Sequence, residues 1–198
     1  MADLASTVRF LKDTFTTVSL NDLTEIVKAS KIRKYEAGTL LLHQGEKETD
    51  VRILMSGLVR LYTMQSDGEE KTLAYMERGD HVASVQTVLR GEAGLFYAEV
   101  MEPIQCLQFD SKVMDELEKR NPRLQQFKVR GMERALDKMI DLVQFHILYK
   151  PEERFKVFAE RHPKLLDRVS QKNLASMLGM TPVSLSRIKN RLKEEEND

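Results

Sequence analysis

Arg187, Lys189, Asn190 and Arg191 follow closely on Thr181, Val183, Ser184 and Ser186, and together they form a polar, basic run with no catalytic pairing in it. An arginine fork matches the O6 and N7 acceptors of guanine in the major groove of duplex DNA, which makes Arg187 the candidate base reader. Val183 offers only methyl groups, a fit to the thymine methyl. Ser184, Lys189, Asn190 and Arg191 suit phosphate or water better than a base edge, and for each of them a merely solvated helix face is the plain alternative. The chain's other reactive side chains are scattered. His43, His81, His146 and His162 are isolated, no His-x-His pair with a following carboxylate appears, and no phosphate loop, serine elbow or cysteine–histidine motif is present. Enzyme activity and a metal centre therefore have no support. Haem ligation by one histidine, His146 included, is a minor alternative.

The elements that must hold Arg187 are written in Gln171–Leu192, QKNLASMLGMTPVSLSRIKNRL. Two short helices crossing closely need a small residue at the crossing, here Ala175. The turn between them needs a left-handed residue, here Gly179. Leu174, Leu178, Met180, Leu185 and Ile188 supply a shared core, Thr181 caps the second helix, and Pro182 sits where its missing N–H costs nothing. This is the pattern of a helix-turn-helix, against the bland alternative of an ordinary helical hairpin.

Charge agrees with that placement. The 198 residues are 41% hydrophobic and 31% charged, with 31 basic residues against 31 acidic. Residues 149–193 nevertheless hold 11 Lys and Arg against 4 Asp and Glu, residues 1–148 hold 20 against 23, and the last five carry 4 acids. A basic end on a mildly acidic body suits contact with phosphate through that end. A solvated basic face is the alternative. No run approaches the roughly 18 apolar residues of a membrane helix, and the start MADLASTVRFLKDTF lacks a signal peptide's pattern, so a soluble cytoplasmic chain without membrane contact is expected. Cys106 stands alone, which excludes an internal disulfide and suits a buried strand.

Upstream the period changes. Leu4, Val8, Leu11 and Phe15 fall at helical spacing, and Ser19 with Asp22 announces a second short helix. From Ile32 to about Phe109, the runs TLLLHQ, VRILMS, LVRLYTM, KTLAYM and PIQCLQF are separated by Gly38, Gly45, Gly57, Gly68 and Gly79. Glycine between short strands predicts a compact antiparallel β-roll, with SDG at residues 66–68 as a hairpin turn. Ser111 then caps a helix to Arg120, and Pro122 opens a long one to about Leu148. Along it Leu124, Phe127, Met132, Leu136, Met139, Val143 and His146 make an apolar stripe suited to pairing two chains, with packing on the chain's own barrel as the alternative. The expected hinge is Tyr149–Glu153, and His162-Pro163 breaks the following helix. The fold class is thus α+β: an effector-sensing β-roll with N-terminal helices over 1–120, a dimerisation helix over 121–148, and an all-α DNA-binding domain over 149–198.

This order of parts resembles the Crp/Fnr family of bacterial transcription regulators over nearly the whole chain. YEAGTLLLHQGE, SGLVRLY, the ERGD turn at residues 77–80 and LGMTPVSLSR at residues 178–187 carry the resemblance. It implies a cyclic-nucleotide-binding-like domain, a homodimer on palindromic double-stranded DNA, and RNA polymerase as a further partner. Cyclic-nucleotide-binding members carry Gly-Glu shortly after the Gly-Asp turn and Arg-Ser about ten residues later. Counted without gaps, those positions are Ala83-Ser84 and Gly94-Leu95, so the effector pocket lacks its ribose and phosphate partners. Arg90 is the nearest substitute, and an exposed loop arginine is its plainer reading. Burying an unpaired phosphate is costly, so no cofactor and no tight cyclic AMP binding are expected, and any effector is of another kind. Val183 to Arg187 resemble the Glu-x-x-Ser-Arg of the Fnr branch with the Glu replaced, which shifts the preferred site. The KEEEND ending is too short and acidic for the wing common in the family. The competing expectation is a ligand-sensing or protein-interaction module whose degenerate helix-turn-helix does not bind DNA.

Overall fold

A computed structural model describes residues 4–195; residues 1–3 and 196–198, and the side chains of Leu4, Lys193 and Glu195, lie outside it. The elements fall in the order α1 (Leu4–Thr14), α2 (Leu20–Lys28), β1 (Lys31–Tyr35), β2 (Leu40–Leu42), β3 (Asp50–Met64), β4 (Glu70–Met76), β5 (His81–Val82), α3 (Val85–Arg90), β6 (Tyr97–Asp110), α4 (Ser111–Arg120), a 3-10 turn (Pro122–Leu124), α5 (Gln125–Leu148), α6 (Pro151–Arg161), α7 (Pro163–Leu166), α8 (Gln171–Met177) and α9 (Pro182–Glu195). They group into two compact units. One contains the chain up to Thr63 together with Tyr75–Leu136, and the other contains Met64–Ala74 together with residues from Asp137 onward.

The first unit is built on two long antiparallel strands, β3 and β6, paired from Asp50↔Asp110 to Tyr62↔Tyr97. β1 and then β2 pair with successive stretches of β6, while β5 pairs with β3, and the sheet order is β1-β6-β3-β4. This is the rolled antiparallel sheet expected from the glycine spacing. One expectation changes: Gly57 does not separate two strands but bends one. Its φ is +88°, the β3–β6 register shifts on both sides of it, and a Cβ built there would lie 2.4 Å from the carbonyl oxygen of Pro103. Only glycine fits such a bulge without displacing the partner strand. Cys106 is buried in β6, and burial raises its thiol pKa to about 11.

The core of this unit joins Leu11 of α1 and Phe15 just after it, Leu23 and Ile26 of α2, Ile53 of β3 and Leu107 of β6. Ser19 caps α2 by accepting from the Asp22 N–H at 3.2 Å and donating back to the Asp22 carboxylate at 2.6 Å. That carboxylate also accepts from Asn121 at 2.9 Å, and the Ser19 bond foremost holds its pKa below the usual value. The cap of α4 is Asp110 rather than Ser111: the Asp110 carboxylate accepts from the Lys112 N–H at 2.8 Å, and Ser111 is the first helical residue.

The second unit buries Phe155 and Phe158 of α6, Leu165 of α7, Leu174 of α8 and Leu185 of α9. The stretch expected as a hinge, Tyr149–Glu153, lies inside this unit: Tyr149 and Lys150 separate α5 from α6, and Pro151 to Glu153 already form the first turn of α6, where the Glu153 carboxylate accepts from the Lys150 N–H at 2.7 Å. The β-hairpin tip in this unit is fastened to α8. Ser176 Oγ accepts from the Thr72 N–H at 3.0 Å and donates to the Glu70 carbonyl at 3.3 Å. No helix among the described residues is long and apolar enough to cross a membrane.

Candidate nucleic-acid interface

α8 and α9 pack against each other with Ala175 fully buried at their crossing and Leu174, Leu178 and Leu185 buried around it. Ile188 completes this core. Met177 belongs to it more than Met180, which is only half-buried. The chain reverses between the helices at Gly179, where φ is +67°. Thr181 is the cap, as its spacing demands: its Oγ1 accepts from the Ser184 N–H at 3.1 Å and lies 2.9 Å from the Ser184 hydroxyl. Its carbonyl takes the Leu185 N–H at 3.0 Å, so the first turn of α9 is satisfied on both counts.

A neighbour that the sequence pattern did not announce fixes the turn. Arg154 of α6 donates from Nη1 to the Leu178 carbonyl at 2.7 Å and to His146 Nδ1 at 3.0 Å. A guanidinium has no acceptor, so the imidazole must present its lone pair, and protonation would break the pair. Partial burial, followed by the Arg154 charge, holds the His146 pKa below its ordinary value, against the raising effect of a hydrogen bond that the imidazole makes to the Met177 backbone. His146 therefore belongs to the turn of the helical unit rather than to an outward apolar stripe.

The outward face of α9 is where the candidate residues divide. Val183 is 61% exposed, and Arg187 and Asn190 are exposed at helical spacing from it, with Ser184 exposed and Ser186 half-buried beside them. Two basic residues are engaged within the fold instead. Lys189 is half-buried with its ammonium 5.6 Å from the centre of the Phe155 ring, and Arg191 is ion-paired with Glu152. Glu152 also binds Lys156 at 3.2 Å, the contact that foremost lowers its pKa. Lys193 to Glu195 continue α9, and the remainder of the expected wingless ending lies outside the described residues.

Along α5 the expected stripe splits. Leu124, in the 3-10 turn just before it, and Phe127 are buried in the sheet-based core, Phe127 with its ring 4.5 Å from that of Phe15, so neither faces outward. Met132, Leu136, Met139 and Val143 are all exposed, as are Val129, Ile140, Ile147 and Leu148, which the stripe omitted. Val129, Met132, Leu136, Met139 and Val143 alternate spacings of three and four, the spacing that coiled-coil seams use.

In the sheet-based unit, Ser84 is buried and caps α3, its Oγ 2.8 Å from that of Thr87. Gly94 is buried against it. A Cβ at Gly94 would meet Ser84 Oγ at 3.1 Å and the Glu46 carbonyl oxygen at 3.3 Å, and Gly94 exchanges backbone bonds of 2.8 Å with Gly45 and Glu46. The structure thus brings Ser84 and Gly94 together, leaves Leu95 61% exposed, and sets Ala83 in the wall of a separate apolar cavity. Arg90 lies exposed at the end of α3.

Residues 32–121 match the family model of the cyclic nucleotide-binding domain. The chain is 22% identical over 191 residues to the fumarate and nitrate reduction regulatory protein of Vibrio cholerae, covering 89% of this chain and 74% of that protein. It is 26% identical over 91 residues to the cAMP-activated global transcriptional regulator CRP of Pasteurella multocida, covering 46% of this chain and 44% of that one. Among solved structures, FixK2 from Bradyrhizobium japonicum superposes with a TM-score of 0.72 at 17% identity, over 84% of this chain and 86% of that one. A regulator of the Crp/Fnr family from Eubacterium rectale gives 0.72 at 14% identity, over 91% and 86%.

Proposed function

Because the chain belongs to the Crp/Fnr family of transcription regulators, with a cyclic nucleotide-binding-like domain, we propose that it acts by binding duplex DNA as a homodimer on a two-fold symmetric site. The observation that carries this reading is the outward face of α9, where Arg187 stands exposed between Val183 and Asn190 on a helix whose opposite face is buried. A helix so presented fits the major groove, and Arg187 reads guanine there. Lys189 and Arg191 contribute less to phosphate binding than their charges suggest, since one lies against Phe155 and the other is held by Glu152.

The exposed seam of α5 supports pairing with a second copy, because a stripe of that length is costly to leave in water. Twenty-four residues give about 36 Å of helix for it. Cyclic AMP is not the effector on this reading. The position corresponding to the phosphate-binding arginine is Gly94, closed against Ser84 and the Glu46 carbonyl, and no arginine stem would fit there without displacing them.

Selection of bound sequences from random duplex DNA tests the proposal. A regulator of this kind enriches an inverted repeat containing a guanine in each half-site. Recovery of unrelated or asymmetric sequences would instead favour an interaction module without DNA function.

A further inference from the structure

The sheet-based unit contains a half-open cavity of about 130 Å³ that no part of the DNA-binding proposal uses. Val51, Val88, Phe109, Met114 and Phe127 line it, converging from β3, α3, β6, α4 and α5. Protein interiors hold few voids larger than a water molecule, and this one is walled mostly by apolar side chains, with His81, Ser111 and Lys128 as its polar ones. An apolar space of this size takes a molecule such as benzene.

Its few polar groups narrow the chemistry. Lys128 stands on the wall, but its ammonium lies 2.8 Å from Asp115 and 3.8 Å from Glu118, so an incoming anion meets two negative charges for one positive. His81 also lines the space, with its pKa lowered to about 4, first by burial and then by Arg134, so its imidazole is neutral at ordinary pH. Gly131 of α5 gives that ring room: a Cβ there would approach His81 Nε2 to 3.2 Å. Glycine weakens a helix interior, and here it admits the polar ring to the wall.

We propose that this cavity is the effector site of the sensing unit and that it takes a small, uncharged, largely apolar molecule of single-ring size, with any hydrogen-bonding group facing His81. The assignment deepens the regulator reading and rests on it for the word effector. Met132 links the two: it lines the cavity and also stands on the exposed seam of α5, so an occupant touches a residue of the pairing face directly.

The test uses the full-length protein with toluene, phenol and cyclic AMP as probes, read by thermal unfolding and by methyl NMR of the methionines. Toluene and phenol should raise the unfolding temperature saturably and shift the Met114 and Met132 methyl signals while leaving Met177 in place, whereas cyclic AMP does neither. Ala83→Leu fills the space and should bind toluene about tenfold more weakly while unfolding no earlier than the native protein. Val88→Phe serves the same purpose should the first variant fail to fold. His81→Phe should keep toluene and lose any preference for phenol. Absence of a saturable response in the native protein, shifts confined to other methionines, or undiminished binding by both filled variants would overturn the assignment. None of these readings involves DNA, so loss of this site and loss of the DNA-binding proposal register separately.

Discussion

Arg187 carries the most specific claim at the scale of single residues. Arg187→Ala should cost roughly 1–3 kcal/mol on a selected site and relax preference at one base position, with little change on random DNA. Competition binding against both duplexes measures the difference, and equal losses would contradict the assignment. Glu152 gives a prediction of opposite sign. Removing it by Glu152→Ala frees Arg191 for phosphate, so affinity for any duplex should rise at low salt and the salt dependence should steepen by about one ion. Stability should barely move, since an exposed pair contributes little. Gly57→Ala belongs to the backbone: a positive φ and a carbonyl 2.4 Å from the new Cβ should lower unfolding stability by at least about 2 kcal/mol, measurable in urea. His81 adds a pH effect. Its folded pKa of about 4 lies below the usual 6.5, so the unfolded chain binds more protons between those values. Stability should therefore be full above about pH 6.5 and fall as pH drops toward 4, by at most about 3 kcal/mol, with His81→Phe flattening the curve.

At the scale of elements, α5 is the piece whose sequence pattern would serve two partners on the proposed pairing. Its first turns bury Phe127 in the molecule's own core, whereas Leu136 and Met139 stand 57% and 62% exposed further along. Leu136→Glu places a charge in the seam without disturbing a buried contact, so it should weaken self-association by roughly 2 kcal/mol, about thirtyfold, in sedimentation while leaving the monomer's fold intact. The periodicity of 124–146 announced the helix but could not separate these halves, because burial against one's own sheet and burial against a second chain demand the same residue types. Other elements were legible for local reasons. Thr181, Pro182, Gly179 and Ala175 act within a few residues of one another, and each fills the role its type implies. Gly57 misled for the converse reason: a turn and a bulge both need positive φ, and the choice depends on Pro103, far away in sequence. Arg154 was silent altogether, since a single arginine in an ordinary helix gives no sign that it will hold the Leu178 carbonyl.

For the whole molecule, order and composition conveyed the architecture: short strands punctuated by glycine, then a long helix, then a basic helical end. Gapless counting placed Ser84 and Gly94 where the structure brings them into contact, while the apolar cavity assembles side chains from five separate elements whose convergence no local pattern records. DNA reading by this protein requires that two copies present their α9 helices to one duplex. Hydroxyl-radical footprinting of the native protein on a selected site should show two protected patches about 34 Å apart on one face of the DNA, related by two-fold symmetry, both lost in Leu136→Glu at concentrations where the native protein is bound. A single patch, or protection that Leu136→Glu retains in full, would contradict it.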